Sequence, residues 1–304
     1  MKYLHYPGCS LKGSGRAYEE SLLAVYEALG VSVEELDDWN CCGATAYMAV
    51  DELKAFALAA RNLALAEGQH AGQNGDDGGA CLVAPCSACF LVLSKAKRYM
   101  EEYGEVGRRI NEALAAAGLP YQGRIAIRHP LDLFINDVGL PAIAARVRRP
   151  LHGLRVACYY GCQLVRPYAT FDDQFDPQTM DRLLRALGAE TVDWPLKTRC
   201  CSGSLTGTIP DVGLHLNHIL LKEARRHGAN VVATACPLCQ FNLECFQDRM
   251  SRRYGREIHT PVLYFTQLMG VALGLPDKTL GLQRLFVPLN KDQIQPEGVQ
   301  HVGV

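Results

Sequence analysis

Ten of the thirteen cysteines fall into two sets with the same order and similar spacing. The first is Cys9, the adjacent pair Cys41-Cys42, and Cys86-Ser87-Ala88-Cys89. The second is Cys162, the pair Cys200-Cys201, and Cys236-Pro237-Leu238-Cys239. The lone cysteine precedes its pair by 31 residues in one set and 37 in the other, and 43 and 34 residues then lead to the C-x-x-C step. Five thiols are one too many for a single tetrahedral zinc ion. Adjacent cysteine side chains diverge, which suits a multinuclear cluster in which each sulfur reaches a different metal. Thiolate is the usual ligand of iron–sulfur clusters. The close C-x-x-C run of an ordinary ferredoxin is absent. Phe90 and Gln240, not histidine, follow the two C-x-x-C steps, which argues against covalent haem.

The flanks repeat with the cysteines. Tyr6-Pro7-Gly8-Cys9 matches Tyr159-Tyr160-Gly161-Cys162, and Ala28-Leu29-Gly30 matches Ala186-Leu187-Gly188. Val83-Ala84-Pro85-Cys86 matches Ala233-Thr234-Ala235-Cys236. His129-Pro130 and Thr260-Pro261 are each followed by a glycine nine residues after the proline, Gly139 and Gly270. The offset between copies is 150 to 159 residues, the size of a small domain. The chain has 304 residues, 48% hydrophobic and 21% charged, with a formal net charge of −1. That composition fits a globular protein with a sizeable core, and the charge argues against coating nucleic acid. The chain shows neither a signal-peptide pattern nor 18 consecutive apolar residues, so a cytoplasmic location without a membrane span is expected. In that setting metal or redox cysteines are favoured over structural disulfides.

The elements that must hold these cysteines alternate between short apolar runs and helical patterns. In the first half the pattern predicts strands at 3–6, 31–36, 81–84 and 125–127. Helices are expected from a Ser14 cap to Gly30, over 44–67, over 87–103 and over 111–117. In the second half it predicts strands at 155–160, 191–194 and 231–235, and helices around 180–187, over 211–226 and over 238–254. Gly68–Ala80 reads as a flexible loop. Residues 1–150 and 151–275 are therefore expected to be two α/β domains, each a mainly parallel sheet flanked by helices. Residues 276–304 are expected to form an irregular tail, either a loose terminus or a segment that docks a partner. The cysteines fall at strand ends and helix starts, where open α/β sheets collect ligands.

Two copies of C-x(31–37)-C-C-x(34–43)-C-x-x-C resemble the cysteine-rich CCG domain. A chain of this length with two complete copies is similar to the B subunit of heterodisulfide reductase and its relatives in sulfur-metabolising bacteria. The resemblance covers about residues 3 to 270. It implies tandem CCG domains related by a pseudo-two-fold axis and two noncubane [4Fe–4S] clusters facing each other across a cavity. Cys9, Cys41, Cys42, Cys86 and Cys89 would hold one cluster, and Cys162, Cys200, Cys201, Cys236 and Cys239 the other. The implied activity is an iron–sulfur oxidoreductase that cleaves or forms a disulfide or acts on thiol-bound sulfur. The implied partners are a ferredoxin-like C subunit and a flavin-containing A subunit. The second pair departs from the pattern, because Ser202 stands where Cys-Cys-Gly would place glycine, and an altered turn is expected there.

An electron-relay subunit of a lactate, glycolate or glycerol-phosphate dehydrogenase is the alternative function, and structural zinc in one half the alternative cofactor. Lys12, Arg16, Arg166, Lys197 and Arg199 are candidates to offset cluster charge or to bind an anionic thiol. His5 and His129 are candidate proton donors or structural histidines. Cys81 and Cys158 read as core residues and Cys245 as a helix residue outside the sites. Gly13-Ser14-Gly15 lacks the third glycine of a dinucleotide loop, Tyr18 standing in its place.

Overall fold

The computed structural model describes residues 2–44, 47–74 and 80–294. The first half runs β1 (Lys2–His5), α1 (Gly8–Leu11), α2 (Arg16–Leu29), β2 (Ser32–Glu35), α3 (Tyr47–Val50), α4 (Glu52–Asn74) and β3 (Cys81–Val83). It continues with α5 (Ser87–Glu102), α6 (Gly104–Ala116), β4 (Ala126–Arg128), α7 (Pro130–Leu133), a π-helical turn at Phe134–Val138 and α8 (Leu140–Ala144). The second half runs β5 (Arg155–Tyr159), α9 (Thr179–Ala186), β6 (Glu190–Thr191), α10 (Leu205–Thr208), α11 (Pro210–Arg226) and β7 (Val231–Thr234). It ends with α12 (Pro237–Glu244), α13 (Gln247–Tyr254), β8 (Val262–Tyr264) and α14 (Phe265–Ala272).

Each half builds one four-stranded, all-parallel sheet, ordered β2-β1-β3-β4 and β6-β5-β7-β8. The two orders are the same permutation, as the duplication requires. A strand covered on both faces of a parallel sheet reads as a near-continuous apolar run: all four residues of the inner strand β7 are buried, whereas the edge strand β2, Ser32-Val33-Glu34-Glu35, stays partly exposed. In each sheet the first strand sits between the second and the third, so the strand order reverses at its carboxyl end. That is where ligands collect in such sheets.

The chain divides into two compact units that do not coincide with the linear division at 150/151. One is Met1–Gly13 with Val31–Leu133, and the other Ser14–Gly30 with Phe134–Val304. The helix α2 is thus encoded in the first half but packed with the second, against α14. Tyr18 stacks on Tyr264 with centroids 4.5 Å apart, and Ser21 Oγ lies 2.7 Å from Thr266 Oγ1.

Several local expectations are corrected. The helix α2 starts at Arg16 behind Gly15, and no side chain caps it, so Ser14 is not its cap; Gly30 does end it, at φ +70°. Residues 68–74 continue α4 instead of forming a loop, while 75–79 lie outside the described residues. The run 238–254 is two helices separated at Cys245-Phe246, and β6 covers only two residues. The segment 276–294 is not a loose terminus. Leu280 and Val287 are buried, Gln267 donates to the Leu280 carbonyl, and Arg284 meets Glu20 through two bonds of 2.8 and 2.9 Å. Among the described residues no helix is long and apolar enough to cross a membrane.

Candidate metal centre

In each unit the five thiols come from the carboxyl ends of three neighbouring parallel strands. Cys9 lies on α1 behind β1, Cys41-Cys42 follow β2, and Cys86 and Cys89 open α5 behind β3. In the other unit Cys162 follows β5, Cys200-Cys201 follow β6, and Cys236 and Cys239 open α12 behind β7. The C-x-x-C step places one cysteine at the helix cap and the next in the first turn, where free backbone N–H groups favour negative charge.

The thiols of each set act on one another. Within the first, Cys42 Sγ and Cys89 Sγ are 3.3 Å apart. Hydrogen bonds from Cys41 and Cys89 pull Cys42 down to about 4, and the same bonds push Cys41 and Cys89 up. In the second site bonds from Cys162 and Cys201 pull Cys200 down to about 2, and Cys200 pushes Cys201 up to about 11. Cys162 is raised by Cys200, and Cys239 by Cys201 and Cys236. Four thiols of the first set (Cys41, Cys42, Cys89 and Cys86) and all five of the second therefore run as lines of hydrogen-bonded neighbours. Among the described residues no three His, Cys, Asp or Glu side chains gather about one metal position. Five soft donors in one set suit a multinuclear group, and loading one would release several protons.

Exposure divides each set in the same way. The second cysteine of the pair and both C-x-x-C cysteines are buried in both sites. The lone cysteine and the first of the pair are exposed or half-buried: Cys9 and Cys41, Cys162 and Cys200. Each site thus has a dry floor and a wet edge. The floor of the second is continuous with a core of Trp194, Leu214, Leu243 and Val262.

A glycine clears each floor. Gly8 and Gly161 adopt φ +65° and +66°, and an added Cβ would stand 3.1 Å from Cys89 Sγ and from Cys239 Sγ respectively. Two residues before each glycine a buried tyrosine ties the strand end to the cysteine pair. Tyr6 donates to the Asn40 carbonyl at 2.7 Å and Tyr159 to the Arg199 carbonyl at 2.6 Å. Burial, and then the surrounding cysteines, hold both phenols protonated. The turn after the second pair keeps its shape despite Ser202. This serine adopts φ +79° where Gly43 has +84°, and its Oγ lies 2.6 Å from Thr206 Oγ1. The expected alteration of the turn does not occur.

Asparagines that the sequence did not single out brace the pairs. Asn40 donates to the Cys41 and Leu58 carbonyls, and Asn62 Oδ1 accepts from the Asn40 amide. Asn242 donates to the Cys201 and Gly203 carbonyls and lies 3.5 Å from Cys201 Sγ. Of the candidate cations, Lys12 pairs with Glu35 and Arg16 with Glu20, while Arg166 donates to the Thr198 carbonyl. Lys197 is buried, 3.1 Å from buried Asp181, which accepts from Tyr160 at 2.7 Å. Arg199 is exposed beside Cys200 and makes no ion pair among the described residues. His129 holds backbone through both ring nitrogens, to the Pro85 carbonyl and the Leu131 amide. Burial drops His5 to about 4, so it is neutral. Cys158 is fully buried, Cys81 begins β3, and Cys245 ends α12 with its thiol pushed up to about 12 by burial.

The model of the CCG cysteine-rich domain matches residues 3–94 and 156–244. The chain is 30% identical, over 95% of its length and 98% of the relative's, to the 8-methylmenaquinol:fumarate reductase membrane anchor subunit of Wolinella succinogenes. It is 29% identical to a protein of Archaeoglobus profundus described as like the B subunit of heterodisulfide reductase, over 93% and 94% of the two chains. It is 27% identical to the B subunit of the ferredoxin/F(420)H(2)-dependent CoB-CoM heterodisulfide reductase of Methanosarcina acetivorans, over 91% of each. The fold also resembles the crystal structure of a hypothetical protein from Helicobacter pylori, at a TM-score of 0.73 and 16% identity. That match covers 95% of this chain, which spans about half (52%) of the longer one.

Proposed function

The chain belongs to the family of CCG cysteine-rich proteins that includes the B subunit of heterodisulfide reductase, and from that premise we propose that it is the catalytic subunit of a heterodisulfide reductase-like complex. It is an iron–sulfur oxidoreductase subunit that carries two noncubane [4Fe–4S] clusters, on Cys9, Cys41, Cys42, Cys86 and Cys89 and on Cys162, Cys200, Cys201, Cys236 and Cys239. The observation that carries this reading is the repeated floor, where a left-handed glycine keeps a Cβ away from the first-turn cysteine of the C-x-x-C helix in both sites. When bound, such clusters supply reversible electron transfer and soft metal sites for sulfur.

The chain's own groups supply the rest. Buried Cys42, Cys86 and Cys89, and Cys201, Cys236 and Cys239, anchor each group away from water. The wet edges at Cys9–Cys41 and Cys162–Cys200 admit substrate sulfur. Arg199, exposed beside Cys200 and outside any ion pair among the described residues, orients an anionic thiol or disulfide. The overall change is R–S–S–R′ + 2 e⁻ + 2 H⁺ → RSH + R′SH, or its reverse. Electrons travel through partner subunits, a ferredoxin-like and a flavin-containing one, and a cytoplasmic site of action belongs to the same proposal.

The test is anaerobic preparation with iron, sulfide and zinc analysis and EPR. About eight irons per chain are expected for two four-iron clusters, with a new paramagnetic signal when a thiol meets the oxidised protein. Stoichiometric zinc, or clusters blind to thiols, rejects the proposal. A second reading, an electron-relay subunit of a dehydrogenase complex, is favoured by the likeness to the fumarate reductase anchor subunit. It requires clusters that a quinol analogue reduces and that thiols leave unchanged.

A further inference from the structure

The duplication provides an internal comparison between two similar sites with different outer surfaces. In the first unit the helix that opens with the C-x-x-C step, α5, carries Lys95, Lys97 and Arg98, and each is paired, with Glu52, Glu101 and Glu102. In the second unit the corresponding stretch is α12 and α13. Leu238, between the ligand cysteines Cys236 and Cys239, is 41% exposed, where the first site has Ala88. One turn further Phe241 is exposed and meets Phe246 edge-on at 5.4 Å. The Arg249 guanidinium lies 5.8 Å from the Phe246 ring. Arg249, Arg252 and Arg253 then line a groove of about 350 Å³ with Asp211 and Leu214. Arg253 is taken by Asp211, whereas Arg249, Arg252 and Arg256 make no ion pair among the described residues. Arg249 thus stands beside the aromatic pair and Arg252 shares its groove, two cations outside any ion pair among the described residues next to exposed apolar side chains, in a chain whose net charge is −1.

We propose that the outer face of α12 and α13 is the docking surface for an acidic electron-carrier protein, and that the first unit has no equivalent. An apolar centre with arginines at its edge is the anatomy of a protein–protein contact. Uncompensated arginines select a partner of opposite charge and speed its arrival. The partner is an electron carrier because Leu238, the exposed centre of the face, separates two cluster ligands. This identification rests on the proposed function, while the binding surface itself does not.

The test uses the anaerobically prepared protein and a small acidic [2Fe–2S] ferredoxin as probe, with binding followed from low to moderate salt. Binding is expected to weaken steeply with salt, since exposed charges are screened over about 10 Å at 0.1 M. Arg249→Glu with Arg252→Glu is expected to weaken it about tenfold or more at low salt and to flatten the salt dependence. Lys97→Glu with Arg98→Glu on α5 is expected to leave it unchanged, and circular dichroism checks that both variants fold. Equal binding by the Arg249/Arg252 variant overturns the proposal. So does capture of duplex DNA or anionic phosphatidylglycerol vesicles, but not ferredoxin, by the same arginines. Thiol-responsive clusters reduced by dithionite with arginine-independent ferredoxin binding refute the surface alone. Arginine-dependent binding in a protein without thiol-responsive clusters refutes the proposed function alone.

Discussion

At the scale of single residues, the sites depend on atoms that are missing as much as on those present. Gly161 combines a left-handed backbone with a floor that a methyl group would enter. Gly161→Ala is expected to cost about 1–2 kcal/mol from the backbone alone. It is also expected to empty the second site, so that iron falls from about eight to about four per chain. Gly30→Ala is the control, because Gly30 has φ +70° with no atom within 4 Å of an added Cβ. It should show similar strain and full iron. Unchanged iron in Gly161→Ala would reject the role of the floor. Lys197 makes a second case. Its carbonyl accepts from the Tyr160 and Gly161 amides and its ammonium neutralises Asp181, so it fixes the turns leading to Cys162 and Cys200. Lys197→Met strands a buried carboxylate and is expected to cost about 3–5 kcal/mol in urea unfolding. Adding Asp181→Asn should recover much of that loss. A single-variant cost below about 1 kcal/mol would show that the pair is dispensable. The cysteines and these flanking glycines were legible from spacing, because the duplication prints them twice. Asn62, which holds the Asn40 amide just before the first pair, and Asn242, which holds Cys201, were not, since they come from helices at unrelated sequence distances.

At the scale of elements, strands and helices with a clear period were legible and those without one were not. The buried helix α14 reads Phe265-Thr266-Gln267-Leu268-Met269-Gly270-Val271-Ala272 and is enclosed on every side, so no polar face announces it. Its preceding strand β8 has only three residues. The break between α12 and α13 falls at Cys245-Phe246, without glycine or proline to mark it. The tail looked irregular because its order comes from tertiary bonds. Leu280 lies against Gly270, and buried Glu244 on α12 accepts from the Phe286 amide at 3.0 Å and the Val287 amide at 3.3 Å. Burial raises Glu244 from 4.5 to about 7 despite those bonds. An acid whose folded value is raised binds more protons folded than unfolded between these limits. Stability therefore falls as pH climbs from about 4.5 to about 7, by roughly 3 kcal/mol at most for this group. Glu244→Gln is expected to remove that slope, so that its urea midpoint gains on the natural chain's by more at pH 8 than at pH 5. Parallel pH profiles for the variant and the natural chain would show that Glu244 is not the titrating group.

At the scale of the whole molecule, the repeat and the packing follow different boundaries. Spacing revealed two copies but could not show that α2 leaves its own copy, because the apolar stripe of a helix says that it is buried and not against what. Tyr18, Leu22, Val25 and Tyr26 of α2 are fully buried. Tyr18 stacks on Tyr264 and meets Phe265 edge-on at 6.0 Å, while Tyr26 meets Phe134 at 5.4 Å. Four such side chains represent roughly 6–12 kcal/mol of burial, comparable with the net stability of a typical domain of about 5–15 kcal/mol. A fragment of residues 134–304 contains the whole second set of cysteines but lacks α2. It is expected to lose cooperative unfolding, bind a hydrophobic dye and hold iron poorly, although all five cysteines of the second set are present. Residues 14–30 supplied as a peptide, at concentrations sufficient for association, should restore near-ultraviolet dichroism and iron uptake together. A cooperative, iron-loaded fragment without the peptide would mean that α2 is an accessory to the second unit. The expected failure would mean that the second unit depends on a helix encoded in the first half, so that the second half of the gene could not be inherited as a working protein alone.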